Sequence, residues 1–272
     1  MFNLMLITND TELASFAVKS GVSRIFVDLE VNGKYERQGH LDTLISKHSM
    51  ADVEKIRKSI AGTELLVRLN PLFEGSRNEV EQAISAGADL LMLPMFTTVE
   101  EIQKFSHFIG GRVNFIPLVE TAAAANCLSE VVKIEGVSEI YFGLNDLHRD
   151  LGLNFMFEPL TNGLLDTLVQ IVKQAKLPFG FGGLARIGEG ILPAELILAE
   201  HVRLGSSCVI LSRTFHRKSE SLNDIQSLMC LEEEINKIYS SREALLKRNA
   251  MMEERDKNKV AQIVDNIING NT

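Results

Sequence analysis

The stretch FIPLVETAAAANCLSEVVKIEGVSEIYFGLNDLHRDLGL, Phe115 to Leu153, decides how this chain is read. It holds two short apolar runs, FIPLV and IYFG, with an alanine-rich, helix-patterned segment between them. Runs that are apolar throughout suit strands covered on both faces, as in a parallel sheet whose crossovers are helices. An acid stands at the end of each run: Glu120 closes the first and Asp146 follows the second. One βα unit separates them, so both fall on the edge where the carboxyl ends of parallel strands emerge.

Working outward, the same alternation fills most of the chain. Strands are predicted at 4–8, 24–29, 65–70, 90–94, 114–120, 139–143, 179–182 and 208–212. Helices are predicted at 10–20, 50–60, 76–86, 99–109, 122–132, 164–174 and 193–204. Asp10 is placed to cap the first helix and Gly21 to end it. Pro193 suits the first turn of the last. Eight strands alternating with helices favour a closed (β/α)8 TIM barrel, with an open doubly wound sheet as the competing fold. No GxGxxG follows the first strand, which weakens a dinucleotide-binding reading. From about Ser219 the pattern changes to long, mixed-charge helices. The chain therefore divides into a barrel over 1–218 and an extended C-terminal helical arm over 219–272, which packs on the barrel or on a neighbouring subunit.

Composition narrows the function. A formal net charge of -8 argues against nonspecific nucleic-acid binding, which needs a basic footprint. No apolar run is long enough for a membrane span, and the amino end MFNLMLITND lacks the pattern of a signal peptide. Cys127, Cys208 and Cys230 match neither a metal-ligand spacing nor a disulfide framework, so a reducing cytoplasm is the expected setting.

Two carboxylates side by side on a strand-end rim repel unless a cation or a proton is shared between them. Glu120 and Asp146 would suit a hard divalent ion, Mg2+ or Mn2+, which takes oxygen ligands. The competing reading makes each a cap for the helix or turn that follows.

The motif LVET…AAN…EIYFGLNDLHRDLG resembles the HpcH/HpaI aldolase and citrate-lyase-beta-subunit family, a metal-dependent pyruvate aldolase superfamily. Gly143, Asp146, Leu147, Leu151 and Gly152 stand in its G-x-x-D-L-x-x-x-L-G pattern. FVDLE (26–30), LVRLNP (66–71) and AGADLLMLPM (86–95) support the likeness, which runs from about residue 4 to 215. It implies a (β/α)8 barrel, a divalent metal on Glu120 and Asp146, and carbon–carbon bond chemistry on a 2-oxo acid. It also implies that Arg68 holds the oxo acid and neutralises the developing enolate oxygen. A guanidinium suits that task, since it is always charged and offers paired donors; the competing reading is an ion pair in the barrel mouth with Asp28 or Glu30. The likeness implies an acid at the end of the second strand that positions metal-bound water or the substrate-holding arginine; Glu30 is the choice for this catalytic support, and Asp28, on the same side by alternation and a candidate substrate contact, could serve instead.

The sequence also departs from the family pattern. Val31 stands where pyruvate aldolases of the superfamily carry a histidine, and AISAGAD lacks their aspartate before the GA turn. The segment after the second strand offers Lys34, Arg37, His40 and His48 instead, with His40 the candidate for moving the proton. A third cluster, PFGFGGLARIGEGILPAE, has glycines that let a backbone approach a ligand closely. Gly182, Gly183 and Arg186 are its candidate substrate contacts, beside the helix starting near Pro193. His148, Arg213 and His216 lie near enough in sequence to be considered, and Met92 and Met95 are assigned to the core. The expected activity is an aldolase-type lyase acting on a pyruvate-like oxo acid. A citrate-lyase or malyl-CoA-lyase-like enzyme acting on an acyl thioester, and a metal–oxoacid-binding barrel without turnover, are the alternatives. A homo-oligomer is expected from the family likeness and the long arm.

Overall fold

A computed structural model of the chain describes residues 2–32, 48–213, 215–216, 219 and 221–270. Eight parallel strands close on themselves in chain order, each pairing with the next and β8 with β1. They are β1 (Asn3–Ile7), β2 (Arg24–Asp28), β3 (Glu64–Arg68), β4 (Leu90–Leu93), β5 (Asn114–Val119), β6 (Ile140–Phe142), β7 (Phe179–Leu184) and β8 (Cys208–Leu211). Around them run α1 (Thr11–Lys19), α2 (Met50–Ser59), α3 (Ser76–Ser85), α4 (Val99–Ile109), α5 (Ala122–Val131), α6 (Leu144–Asp150), α7 (Leu164–Gln174) and α8 (Ala194–Leu204). The open-sheet alternative is thereby set aside.

Period-two alternation explains why charged residues sit inside strands that read as apolar. On β2, Arg24, Phe26 and Asp28 face the barrel interior; on β3, Glu64, Leu66 and Arg68 do. The register sets Arg24 beside Glu64, Phe26 beside Leu66 and Asp28 beside Arg68. Each of these two strands thus stacks a charge at the floor, an apolar residue in the middle and a charge at the mouth. Met5, Leu90, Met92, Ile116, Leu118 and Tyr141 fill the middle with them. The outward positions, such as Ile25, Val27, Leu65 and Val67, are fully buried beneath the helices.

The floor is closed by Arg24. It donates to both oxygens of Glu139 at 3.0 and 3.2 Å and to Glu64 at 3.0 Å. The Cys208 thiol donates to the same Glu139 at 3.0 Å. Burial alone would lower the Arg24 pKa, but Glu139, Cys208 and Glu64 together more than offset it, so the guanidinium stays charged.

Past the barrel come α9 (Leu222–Leu228), α10 (Leu231–Leu245) and α11 (Ala250–Ile268). Leu231, Ile235 and Ile238 of α10 recur at helical spacing and are buried in the same core as the barrel helices. Tyr239 donates to the Gly21 carbonyl at 3.0 Å, and the Arg248 guanidinium donates to the Ala199 carbonyl on α8 at 3.0 Å. Among the described residues, no helix is long and apolar enough to cross a membrane.

Candidate active site

The mouth of the barrel gathers four of the residues that the sequence singled out. Asp28, Glu30 and Glu120 are each 3% exposed, and the Arg68 side chain is 16% exposed. Arg68 donates through Nε and Nη2 to the two oxygens of Asp28, both at 2.8 Å, and its Nη2 lies 3.3 Å from Glu30. The paired contact fixes the guanidinium plane. Among the described residues Nη1 donates no hydrogen bond. Burial would lower the Arg68 pKa, but Asp28, Glu30 and Glu120 together raise it further than burial lowers it, so Arg68 is a permanent cation.

Glu120 follows β5 and does not cap the helix after it. Thr121 does so, accepting from the Ala124 N–H at 3.0 Å while its hydroxyl donates to the Phe96 carbonyl at 2.9 Å. Glu120 is left to face the mouth, where its Oε1 accepts from the Met95 N–H at 3.0 Å. Burial lifts its pKa, Arg68 opposes that, and Glu30 and Asp146 lift it again, to about 8. Near neutral pH such a carboxyl holds a proton unless a cation replaces it.

Asp146 lies beyond the tip of β6, in the first turn of α6, a short helix that sequence reading did not separate from its surroundings. Its carboxylate is 3.9 Å from Arg149 and its side chain is 18% exposed. A helix start is a favourable place for an acid, so Asp146 has a structural reason to be there as well. It also acts on Glu120, which places the two carboxylates in one electrostatic neighbourhood.

Together they offer the oxygen donors that Mg2+ or Mn2+ prefers, and such ions commonly take one or two protein carboxylates and leave their other positions to water and substrate. Among the described residues, no three His, Cys, Asp or Glu side chains form a fuller metal cage. Glu120, a buried carboxyl lifted by two neighbouring acids, is the kind of group that a cation would relieve.

Other sequence candidates have different surroundings. Gly182 and Gly183 lie on β7 at a register shift against β8. Arg186 is buried, and its guanidinium donates to both oxygens of Glu189 at 3.2 and 2.7 Å, so an anion there would compete with that pair. The His148 Nδ1 bonds the Leu144 carbonyl at 3.1 Å within its own helix. Lys34, Arg37 and His40 lie outside the described residues. His48 is described, and its Nδ1 accepts from the Asp28 N–H at 3.1 Å.

Two site features escaped sequence reading. Met95, assigned to the core, is half-buried with φ 54 and serves Glu120 through its backbone. A left-handed methionine in PMF carries no local sequence signal. Asn70 binds the chain just after Glu30. Its position two residues past Arg68, in phase with the inward face, was a signal that could have found it.

The family model for HpcH/HpaI aldolase/citrate lyase matches residues 12–178. No curated protein gives a match by sequence. Among solved structures, an HpcH/HpaI aldolase from Desulfitobacterium hafniense is 12% identical, with a TM-score of 0.61 over 92% of this chain and 94% of its own. An HpcH/HpaI aldolase/citrate lyase family protein from Burkholderia cenocepacia is 16% identical, with a TM-score of 0.61 over 87% and 94%. A citrate lyase beta subunit from Mycobacterium tuberculosis, complexed with oxaloacetate and magnesium, is 15% identical, with a TM-score of 0.58 over 83% and 96%.

Proposed function

The chain belongs to the HpcH/HpaI aldolase/citrate lyase family, and from that premise we propose that it is a divalent-cation-dependent carbon–carbon lyase acting on a pyruvate-like 2-oxo acid. The observation that carries this reading is a fixed cation beside a buried acid. Arg68 is clamped along one edge with Nη1 to spare, and it acts electrostatically on Glu120, whose pKa is lifted to about 8.

Glu120 and Asp146 would hold Mg2+ or Mn2+. A cation there would supply Lewis-acid polarisation of a carbonyl group. The protein's own part is positioning and charge. Arg68 directs Nη1 to an anionic oxygen of the substrate, and its fixed charge favours the enolate that forms when the C3–C4 bond of the oxo acid breaks and its electron pair passes into the C2 carbonyl. Asp28 and Glu30 hold that guanidinium in one orientation, so little reorganisation accompanies the reaction. The citrate lyase beta subunit structure, with its oxaloacetate and magnesium, supports both an oxo acid and a divalent ion here.

The test is proton exchange. Metal-stripped protein in D2O is given pyruvate, then Mg2+ or Mn2+, and the methyl signal is followed by proton NMR. The reading expects metal-dependent loss of the signal that Glu120→Ala abolishes. Exchange that persists without metal or in Glu120→Ala would refute the metal assignment. No exchange at all would remove pyruvate enolisation and turn the search to an acyl-thioester substrate.

A further inference from the structure

Asn70 is 7% exposed and lies just beyond the clamped arginine. Its Oδ1 accepts from two consecutive backbone N–H groups, those of Val31 and Asn32, each at 2.9 Å. Its Nδ2 donates to Glu79 Oε1 at 2.5 Å, and its backbone N–H donates to the other oxygen of Glu79 at 3.2 Å. A side-chain amide has two orientations of nearly equal shape, and its partners decide between them. Here the decision is clear. The Glu79 carboxylate accepts, so Nδ2 must face it, and Oδ1 must face the two N–H groups.

These ties bear on Glu30. The Leu29 N–H donates to the Arg68 carbonyl at 2.9 Å, and the Glu30 N–H donates to Asp28 at 3.2 Å. Every backbone N–H from Leu29 to Asn32 is therefore bound, and three of the four bonds run to Arg68 or Asn70. Glu79 stands on α3, whose neighbouring Val80 and Ala83 are fully buried, so the clamp is anchored in the barrel wall. Glu30 in turn is a partner of Arg68 on the same edge as Asp28.

We infer that Asn70, held by Glu79, is a positioning residue: it fixes the backbone that presents Glu30 to Arg68. The inference deepens the proposed function and rests on it for the meaning of Arg68. Loss of the clamp should act on the charge stabilisation that Arg68 provides, and so on kcat more than on KM.

A charge swap tests it. Asn70→Asp sets a second carboxylate against Glu79 and removes the donor between them. Adding Glu79→Gln restores the pattern with donor and acceptor exchanged: the glutamine amide donates to the new carboxylate, and its oxygen accepts the backbone N–H of position 70. Asn70→Ala deletes the clamp without adding charge. Two readouts are taken. One is hydrogen exchange at the Val31 and Asn32 amides and the Arg68 Nε–H, which needs no substrate. The other is kcat and KM for pyruvate C3 exchange.

The single variants Asn70→Asp and Asn70→Ala should lose about tenfold or more in both protection and kcat, with KM changed by about twofold at most. The double variant should recover most of both losses. Unchanged protection in both single variants overturns the clamp, as does a folded double variant without recovery. Lost protection with an unchanged kcat overturns the positioning role. If the wild-type protein does not exchange pyruvate, the proposed chemistry falls, while protection at Val31, Asn32 and Arg68 still decides whether the clamp sets the arginine.

Discussion

A Cβ built on Gly143 would stand 2.7 Å from Glu120 Oε2 and 2.9 Å from Glu120 Cβ. The Gly143 backbone has φ -85, which any residue can adopt, so glycine is needed there for space. Gly152, at the other end of the same motif, is the reverse case. It has φ +68 with nothing within 4 Å, and it ends α6 with the Gly152 N–H bonded to Arg149 and the Leu153 N–H to His148. The two glycines should therefore respond differently to alanine. Gly143→Ala should displace the Glu120 carboxylate and lower metal-dependent exchange by about tenfold or more, with a modest change in stability. Gly152→Ala should cost about 1 kcal/mol in unfolding free energy and leave exchange intact. Equal losses of activity in both would show that Gly143 does not act through Glu120. At this scale the sequence placed Glu120 and Asp146 by spacing alone. It could not show that Thr121, not Glu120, caps α5, since that choice depends on where the chain turns at the rim.

Between β7 and β8 the ladder slips. Gly180 pairs with Cys208 but Gly183 pairs with Ile210, so β7 carries one residue more than its partner, as a β-bulge does. The slip frees backbone groups inside the barrel, and Tyr141 of β6 satisfies two of them. Its hydroxyl donates to the Gly182 carbonyl at 2.7 Å and accepts from the Ile210 N–H at 3.0 Å. Burial raises the Tyr141 pKa well above that of a free phenol, so the hydroxyl keeps its proton and the donor role holds. Tyr141→Phe keeps the ring and leaves both backbone groups without this partner. It should destabilise the protein by about 2–3 kcal/mol, read by urea unfolding against wild type. A change within about 0.5 kcal/mol would mean that the bulge does not depend on the hydroxyl. Strand existence was legible because each strand is a compact apolar run between polar turns. The bulge was not, because the glycines of FGFGG permit several registers and the residue that selects one lies on β6. The charged floor was also missed: Arg24 and Glu139 are 115 residues apart, and only closure of the barrel makes them partners.

The closed barrel and its arm share one core, and His201 on α8 sits where they meet. Its ring stacks on Phe181 of β7 at 3.7 Å and meets Phe2 edge-on at 5.7 Å, while Arg242 of α10 lies over the same Phe2. Its Nδ1 is 2.9 Å from the Ser206 hydroxyl, and the described residues give Nε2 no hydrogen-bond partner. The helical period of α10 was readable from the sequence, but the seating of its Arg242 above Phe2 near a buried histidine was not, because those groups come from distant parts of the chain. Burial, with a smaller push from Arg242, lowers the His201 pKa to about 3. An unfolded histidine titrates near 6.5, so between these values the unfolded chain binds a proton that the folded one refuses. Stability from this group is therefore complete above about pH 6.5 and falls as pH drops towards 3, by about 1.4 kcal/mol per unit. From pH 7 to 5 the loss should be about 2 kcal/mol, before most carboxylates have begun to titrate. His201→Phe keeps an aromatic ring against Phe181 and removes the titration, and the Ser206 hydroxyl retains the Phe179 and Cys208 carbonyls within hydrogen-bond reach. Unfolding by urea at pH 7, 6 and 5 should show the variant losing less stability than wild type over that range. Parallel curves for the two proteins would mean that His201 is not the group through which acid loosens the junction of barrel and arm.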